Sequence, residues 1–112
     1  MAKADRLERL DIRRTELEVE YGETLVAALR VTASGKLGLF GHDDDRWSSK
    51  AAISAIAALT EIGDAIDGMR DQLGMPEFEL HREFLASRGK VSSHAVGEAK
   101  QAQAWLARLG VE

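Results

Sequence analysis

Residues 3–34 repeat an apolar pattern that a long helix accounts for. Leu7, Leu10, Leu17 and Tyr21 follow a 3-4 spacing, continued by Ala28 and Val31, and this places them on one helical stripe. Arg14 and Thr24 interrupt the stripe. Past Leu25 the segment turns apolar over more of its circumference, through Val26, Ala27, Ala28 and Leu29, so its second half is expected to be buried on more than one side. Ser34-Gly35 ends the pattern, and Gly35 suits a left-handed position just beyond a helix. A helix of about 32 residues is roughly 48 Å long. A compact domain of 112 residues is only about 35 Å across. An unbroken first helix must therefore project from its own globule or lean on another surface. The alternative is a kink at Gly22, a residue that weakens a helix interior by about 1 kcal/mol relative to alanine.

The rest of the chain reads as three more helices. Residues 35–47, GKLGLFGHDDDRW, interrupt the helical pattern. A second helix is expected from Ser48 or Ser49, either of which can cap, to about residue 73. Its stripe is Ala52, Ala55, Ile56, Leu59, Ile62, Ile66, Met69 and Leu73, and it ends near Gly74, ahead of Pro76. A third, over 76–88, places Pro76 in the first turn and packs through Phe78, Phe84 and Leu85, with Gly89 as its stop. Val91, Ser92 and Val96 have the spacing of a hydrophobic staple around an N-cap. The last helix then covers 93–109, with Val96, Ala99, Ala102, Leu106 and Leu109 inward and Gly110 closing it. Composition agrees: 45% of residues are hydrophobic, and there are three Phe, two Trp, one Tyr and one Pro. The expected fold is all-α: one domain spanning 1–112, a long antiparallel hairpin (3–34 and 48–73) and two shorter C-terminal helices (76–88 and 93–109).

Several function classes recede on the same residues. The chain has no cysteine, so thiolate metal sites, disulfides and cysteine nucleophiles do not arise. A net charge of −4 disfavours a diffuse binder of phosphate backbones. The opening MAKADRLERLDIRR lacks the apolar run of a secretory signal. No stretch approaches the ~18 apolar residues of a membrane span, so a cytoplasmic location without membrane contact is expected. His42, His81 and His94 read as surface or loop residues, and Glu77 with His81 as a surface pair. No catalytic triad can be assembled, and no cofactor is expected.

Four constellations remain. With Leu7 as position a and Leu10 as position d of a heptad, Arg6, Arg13 and Glu20 occupy g, and Asp11, Glu18 and Leu25 occupy e. A parallel pair of first helices would match Arg6 with Asp11 and Arg13 with Glu18, whereas an antiparallel pair would match Arg13 with Glu20. His42, Asp43, Asp44 and Asp45 are candidate metal ligands, set against the simpler role of acidic residues ahead of a helix N-terminus. Gly35, Gly38 and Gly41 surround Leu37, Leu39 and Phe40. They lack the Lys-Ser/Thr of a phosphate loop, so Leu39 and Phe40 are expected to plug one end of the hairpin. Residues 80–109 have the outline of a helix-turn-helix. Arg88, Lys90 and Lys100 would meet phosphates, and His94 and Gln101 would meet bases. The expected function is a non-enzymatic helical interaction module. It would form a homodimer through Leu7, Leu10, Leu17 and Tyr21 or bind an unidentified protein partner. A small DNA-binding regulator is the alternative, and nucleic acid is the less favoured partner.

Overall fold

The computed structural model describes residues 3–34, 39–40, 50–88 and 96–111. Among them run four helices: α1 (Lys3–Ala33), α2 (Lys50–Gln72), α3 (Glu79–Ser87) and α4 (Val96–Arg108). The protein is all-α. α1 packs against both α2 and α4, and α3 lies on α2.

α1 is one unbroken helix of 31 residues that passes straight through Gly22. At about 1.5 Å per residue it is roughly 46 Å long, and the molecule is correspondingly elongated, 53 × 29 × 20 Å. From Ala4 to Glu16 no residue is buried, and only Leu7, Leu10 and Arg14 are even half-covered. From Leu17 onward the helix enters the core, with Tyr21, Leu25, Ala28, Leu29 and Thr32 buried. Val31, expected on the stripe, is 40% exposed, and Thr32 takes the inward place. A straight helix has 3.6 residues per turn, so a strict seven-residue pattern drifts about 20° per heptad. Thr32 is admitted because its hydroxyl donates to the Ala28 carbonyl, at 2.9 Å.

α2 and α4 end in the same way. Gly74 and Gly110 have φ of 71° and 76°, the left-handed region that glycine enters without a Cβ clash. Behind Gly74, Met75 donates to the Arg70 carbonyl at 2.8 Å, and Gly74 donates to Asp71 at 3.1 Å. Behind Gly110, Val111 donates to Leu106 at 3.0 Å, and Gly110 donates to Ala107 at 3.1 Å. Both are Schellman closures that satisfy carbonyls left open by the last turn.

α3 corrects the sequence reading. It starts at Glu79 rather than Pro76. The Asp67 carboxylate of α2 accepts the Phe78 amide at 2.8 Å, while the Pro76 carbonyl accepts from Arg70 at 3.1 Å, so residues 75–78 stay outside the helix. Leu85, expected to pack, is 38% exposed, and Phe84 is fully buried.

Leu39 and Phe40 are fully buried, as expected of a plug. Phe40 lies 6.3 Å from both Phe84 and Trp105, and the Leu39 carbonyl accepts from Arg88 at 3.1 Å. Trp105 itself, absent from the expected inward series of α4, is buried. The expected caps Ser48, Ser49 and Ser92, the staple residue Val91, the glycines Gly35, Gly38, Gly41 and Gly89, and Leu37 lie outside the described residues.

Candidate functional site

Two places in the hairpin concentrate chemistry, one sealed and one open. The sealed one joins three helices. Tyr21 of α1 and His81 of α3 are both buried, and the Tyr21 hydroxyl lies 2.7 Å from His81 Nδ1. The other ring nitrogen, Nε2, faces the Asp64 carboxylate at 4.0 Å. Nε2 has no hydrogen-bond partner among the described residues. Burial pushes the His81 pKa down, opposed by Asp67 and Asp64 and reinforced by Arg82. Burial pushes the Tyr21 phenol up, helped by Asp67. The pair is therefore neutral near pH 7. Room for the ring comes from α2, where a Cβ at Gly63 would sit 2.5 Å from His81. His81 is thus a core residue, not the surface histidine that the sequence suggested. The signal that could have found it is Gly63, a glycine inside an apolar helical stripe.

Beside this pair an ionic cluster fixes the register of α1 on α2. One Glu18 carboxylate oxygen accepts from Arg14 at 2.6 Å and from Arg70 at 2.9 Å. Arg14 also reaches Asp11, at 2.9 Å, and Glu18 and Asp11 together push its pKa further up. Arg14 can therefore interrupt the apolar stripe because its guanidinium is fully engaged. Arg70 lies over the Phe78 ring at 5.3 Å. Asp67 also accepts from Arg82, at 2.7 Å.

The open place is the outer face of the same hairpin, where two depressions lie end to end. The first, of about 640 Å³, is bounded by Arg6, Leu7, Arg9 and Leu10 of α1 and by Gln72 of α2. The second, of about 490 Å³, has Leu17, Ala58, Ile62, Ala65 and Met69 as its apolar floor. Arg13, Glu20 and Glu61 form its rim. Leu10 and Leu17 are seven residues apart, as are Arg6, Arg13 and Glu20, so both depressions lie along one line of α1. The result is an apolar trough with Arg6 and Arg9 at one end and Arg13, Glu20 and Glu61 around the other.

No family model, curated protein or solved structure matches the chain. Function must be read from this geometry.

The candidate interface residues divide between the two places. Leu7 and Leu10 are half-exposed in the trough, Leu17 keeps 7% of its surface at the trough floor, and Tyr21 keeps none. A further apolar line, unnoticed in the sequence, runs along the back of α1. Ile12 and Val19, seven residues apart, are 53% and 56% exposed. Of the candidate nucleic-acid residues, Arg88 turns inward to Leu39, Lys100 is exposed and Gln101 is half-buried. Lys90 and His94 lie outside the described residues, as do His42, Asp43, Asp44 and Asp45. Arg108, on the exposed side of α4, pairs with Glu83 and lies over the Trp105 ring at 4.9 Å. Among the described residues no group of three or more His, Asp or Glu could hold a metal. No described helix is long and apolar enough to cross a membrane.

Proposed function

We propose that the chain is a helical protein–protein interaction module that associates with itself through the N-terminal half of α1. The observation that carries this reading is the N-terminal half of α1: no residue from Ala4 to Glu16 is buried, and the part-buried Leu7 and Leu10 open into a trough floored by Ala58, Ile62, Ala65 and Met69. Apolar side chains aligned on a projecting helix are incompletely covered by their own chain, and a second helical surface covers them at little conformational cost. Multi-angle light scattering across a dilution series tests it. The wild type should exceed the mass of one chain at high concentration. Leu10→Glu should return it to that mass while far-ultraviolet circular dichroism stays helical. A wild-type mass of one chain at the highest soluble concentration ends the proposal.

The Ile12–Val19 line favours a second reading, an additional protein partner on the back of α1. It predicts that Ile12→Asp combined with Val19→Asp leaves the self-associated mass unchanged. Loss of the dimer in that variant would transfer self-association to the back face.

A further inference from the structure

We infer that α3 is an acid-sensitive flap, which opens on an otherwise intact helical body when His81 takes up a proton. The inference is independent of self-association and concerns the sealed place in the hairpin.

The His81 ring is set where an imidazolium has too few acceptors. Both nitrogens of the charged ring are donors. Nδ1 has the Tyr21 hydroxyl at 2.7 Å, which would have to accept and turn its own proton elsewhere. Nε2 is buried and has no hydrogen-bond partner among the described residues. On the α2 side a Cβ at Gly63 would sit 2.5 Å from Nε2 itself, so that flank has no room for a water. The titratable and charged groups facing the ring come from three helices: Tyr21 from α1, Asp64 and Asp67 from α2, and Arg82 from α3 itself. Asp67 is already committed to the Phe78 amide at 2.8 Å and to Arg82 at 2.7 Å. Asp64 stands 4.0 Å from Nε2 with 74% of its side chain in solvent, so closing on the ring would strip it of water. Arg82 opposes a positive charge outright. Burial outweighs the two aspartates and holds the His81 pKa down. Letting water reach the ring satisfies the charged form instead.

α3 is the element able to move. It has nine residues, fewer than the ~12 at which an isolated helix becomes even marginally stable. Its pairing with α2 is the lightest among the packed helices. Its N-cap residue, Phe78, makes no side-chain cap, and the amide there depends on Asp67 of α2. The rest of the body is joined without histidine. Glu18 with Arg14 and Arg70 fixes α1 on α2, and an apolar cluster with Trp105 and Leu106 holds α1 to α4. Opening of α3 uncovers Tyr21, against whose ring Phe78 stands edge-on at 5.2 Å.

Native-state amide exchange on the full chain, corrected for intrinsic exchange, separates a flap from whole-chain unfolding. The α3 amides from Arg82 to Ser87 should be at least about tenfold less protected than those of Leu25 and Leu59. Low urea, which promotes whole-chain unfolding, should leave α3 protection unchanged while it lowers that of the core. The open form takes up its proton near the ordinary value of about 6.5, and the closed form only below it. Closure is therefore fully favoured above about pH 6.5, and α3 protection should fall by up to about tenfold per pH unit beneath it. Asp64→Asn removes a carboxylate that favours the charged ring without disturbing the core, so it should deepen that fall at about pH 5.5. His81→Gln should abolish the pH dependence; where that variant does not fold, the Asp64→Asn comparison decides. Protection in α3 equal to that of the core and equally sensitive to urea overturns the flap. Protection in α3 that ignores pH, or a shallower fall in Asp64→Asn, overturns the role of His81.

Discussion

The two halves of α1 have similar apolar periodicity and opposite fates. From Leu17 to Ala33 the helix is clamped between α2 and α4, and its inward residues lie in a core with Phe40, Phe84 and Trp105. From Ala4 to Glu16 the same spacing, carried by Leu7 and Leu10, meets the end of α2 and buries no residue. The spacing of an amphipathic stripe therefore does not say whether its own chain covers it; the neighbouring elements decide that. The arginines track the change. Arg14 and Arg70, at the entrance to the core, share Glu18, whereas Arg6 and Arg13 remain exposed on the overhang.

The widest separation between the halves should appear on truncation. Phe84→Ala, in the sealed half, is expected to lower the unfolding free energy by about 3–5 kcal/mol. Leu10→Ala, measured by urea unfolding at a concentration where the chain is monomeric, should lower it by about 1 kcal/mol or less. Equal losses at the two sites would erase the distinction. Crowding the sealed half should also be costly. Gly63→Ala places a methyl group 2.5 Å from the His81 ring and is expected to destabilise by about 1–3 kcal/mol. Neutral behaviour would show that the ring can withdraw.

Acid should act on the sealed half first. The His81 pKa is lowered by burial, so below the unfolded value of about 6.5 the unfolded chain takes a proton that the folded chain refuses. Stability is then fully present above that pH and falls as pH drops from about 6.5 toward the lowered folded pKa. Urea midpoints between about pH 7.5 and 5 should show this slope, and His81→Gln should flatten it. A slope unchanged by that substitution would show that His81 is not the source of the acid response. The smallest effect has the opposite sign. A Cβ at Gly22 meets nothing within 4 Å, so Gly22→Ala should raise the unfolding free energy by about 0.5–1 kcal/mol. Destabilisation there would mean that the back of α1 is closely covered in solution.

Local chemistry was legible in the sequence and contacts across the fold were not. Gly74 and Gly110 announced the ends of α2 and α4, and both adopt the left-handed backbone such ends require. Leu39 and Phe40 were readable as a plug because two apolar residues between glycines have no helical face to join. The start of α3 was missed because its first free amide is met by Asp67, eleven residues earlier and on another helix. Trp105 was missed because a narrow 3-4 stripe omits the flanking position that a helix packed against its own domain also buries. For the candidate site, Leu7, Leu10 and Leu17 could be named from spacing alone. That Ile62 and Met69 would stand beside them as a second wall depends on where α3 and α4 dock. Neither lines the trough.

The first and last helices share one core, and this shapes how the chain must fold. Leu25 and Leu29 of α1 belong to the same cluster as Trp105 and Leu106 of α4. Every route to the native state has to bring together segments more than seventy positions apart in the sequence. Closing so long a loop is only modestly dearer than closing a short one, each doubling adding about 0.6 kcal/mol. Yet helix pairs that meet locally gain nothing from α4 until it arrives. Folding should therefore be slower than in a bundle of sequential neighbours, and a nascent chain would carry the α4-facing side of α1 uncovered until Trp105 can reach it.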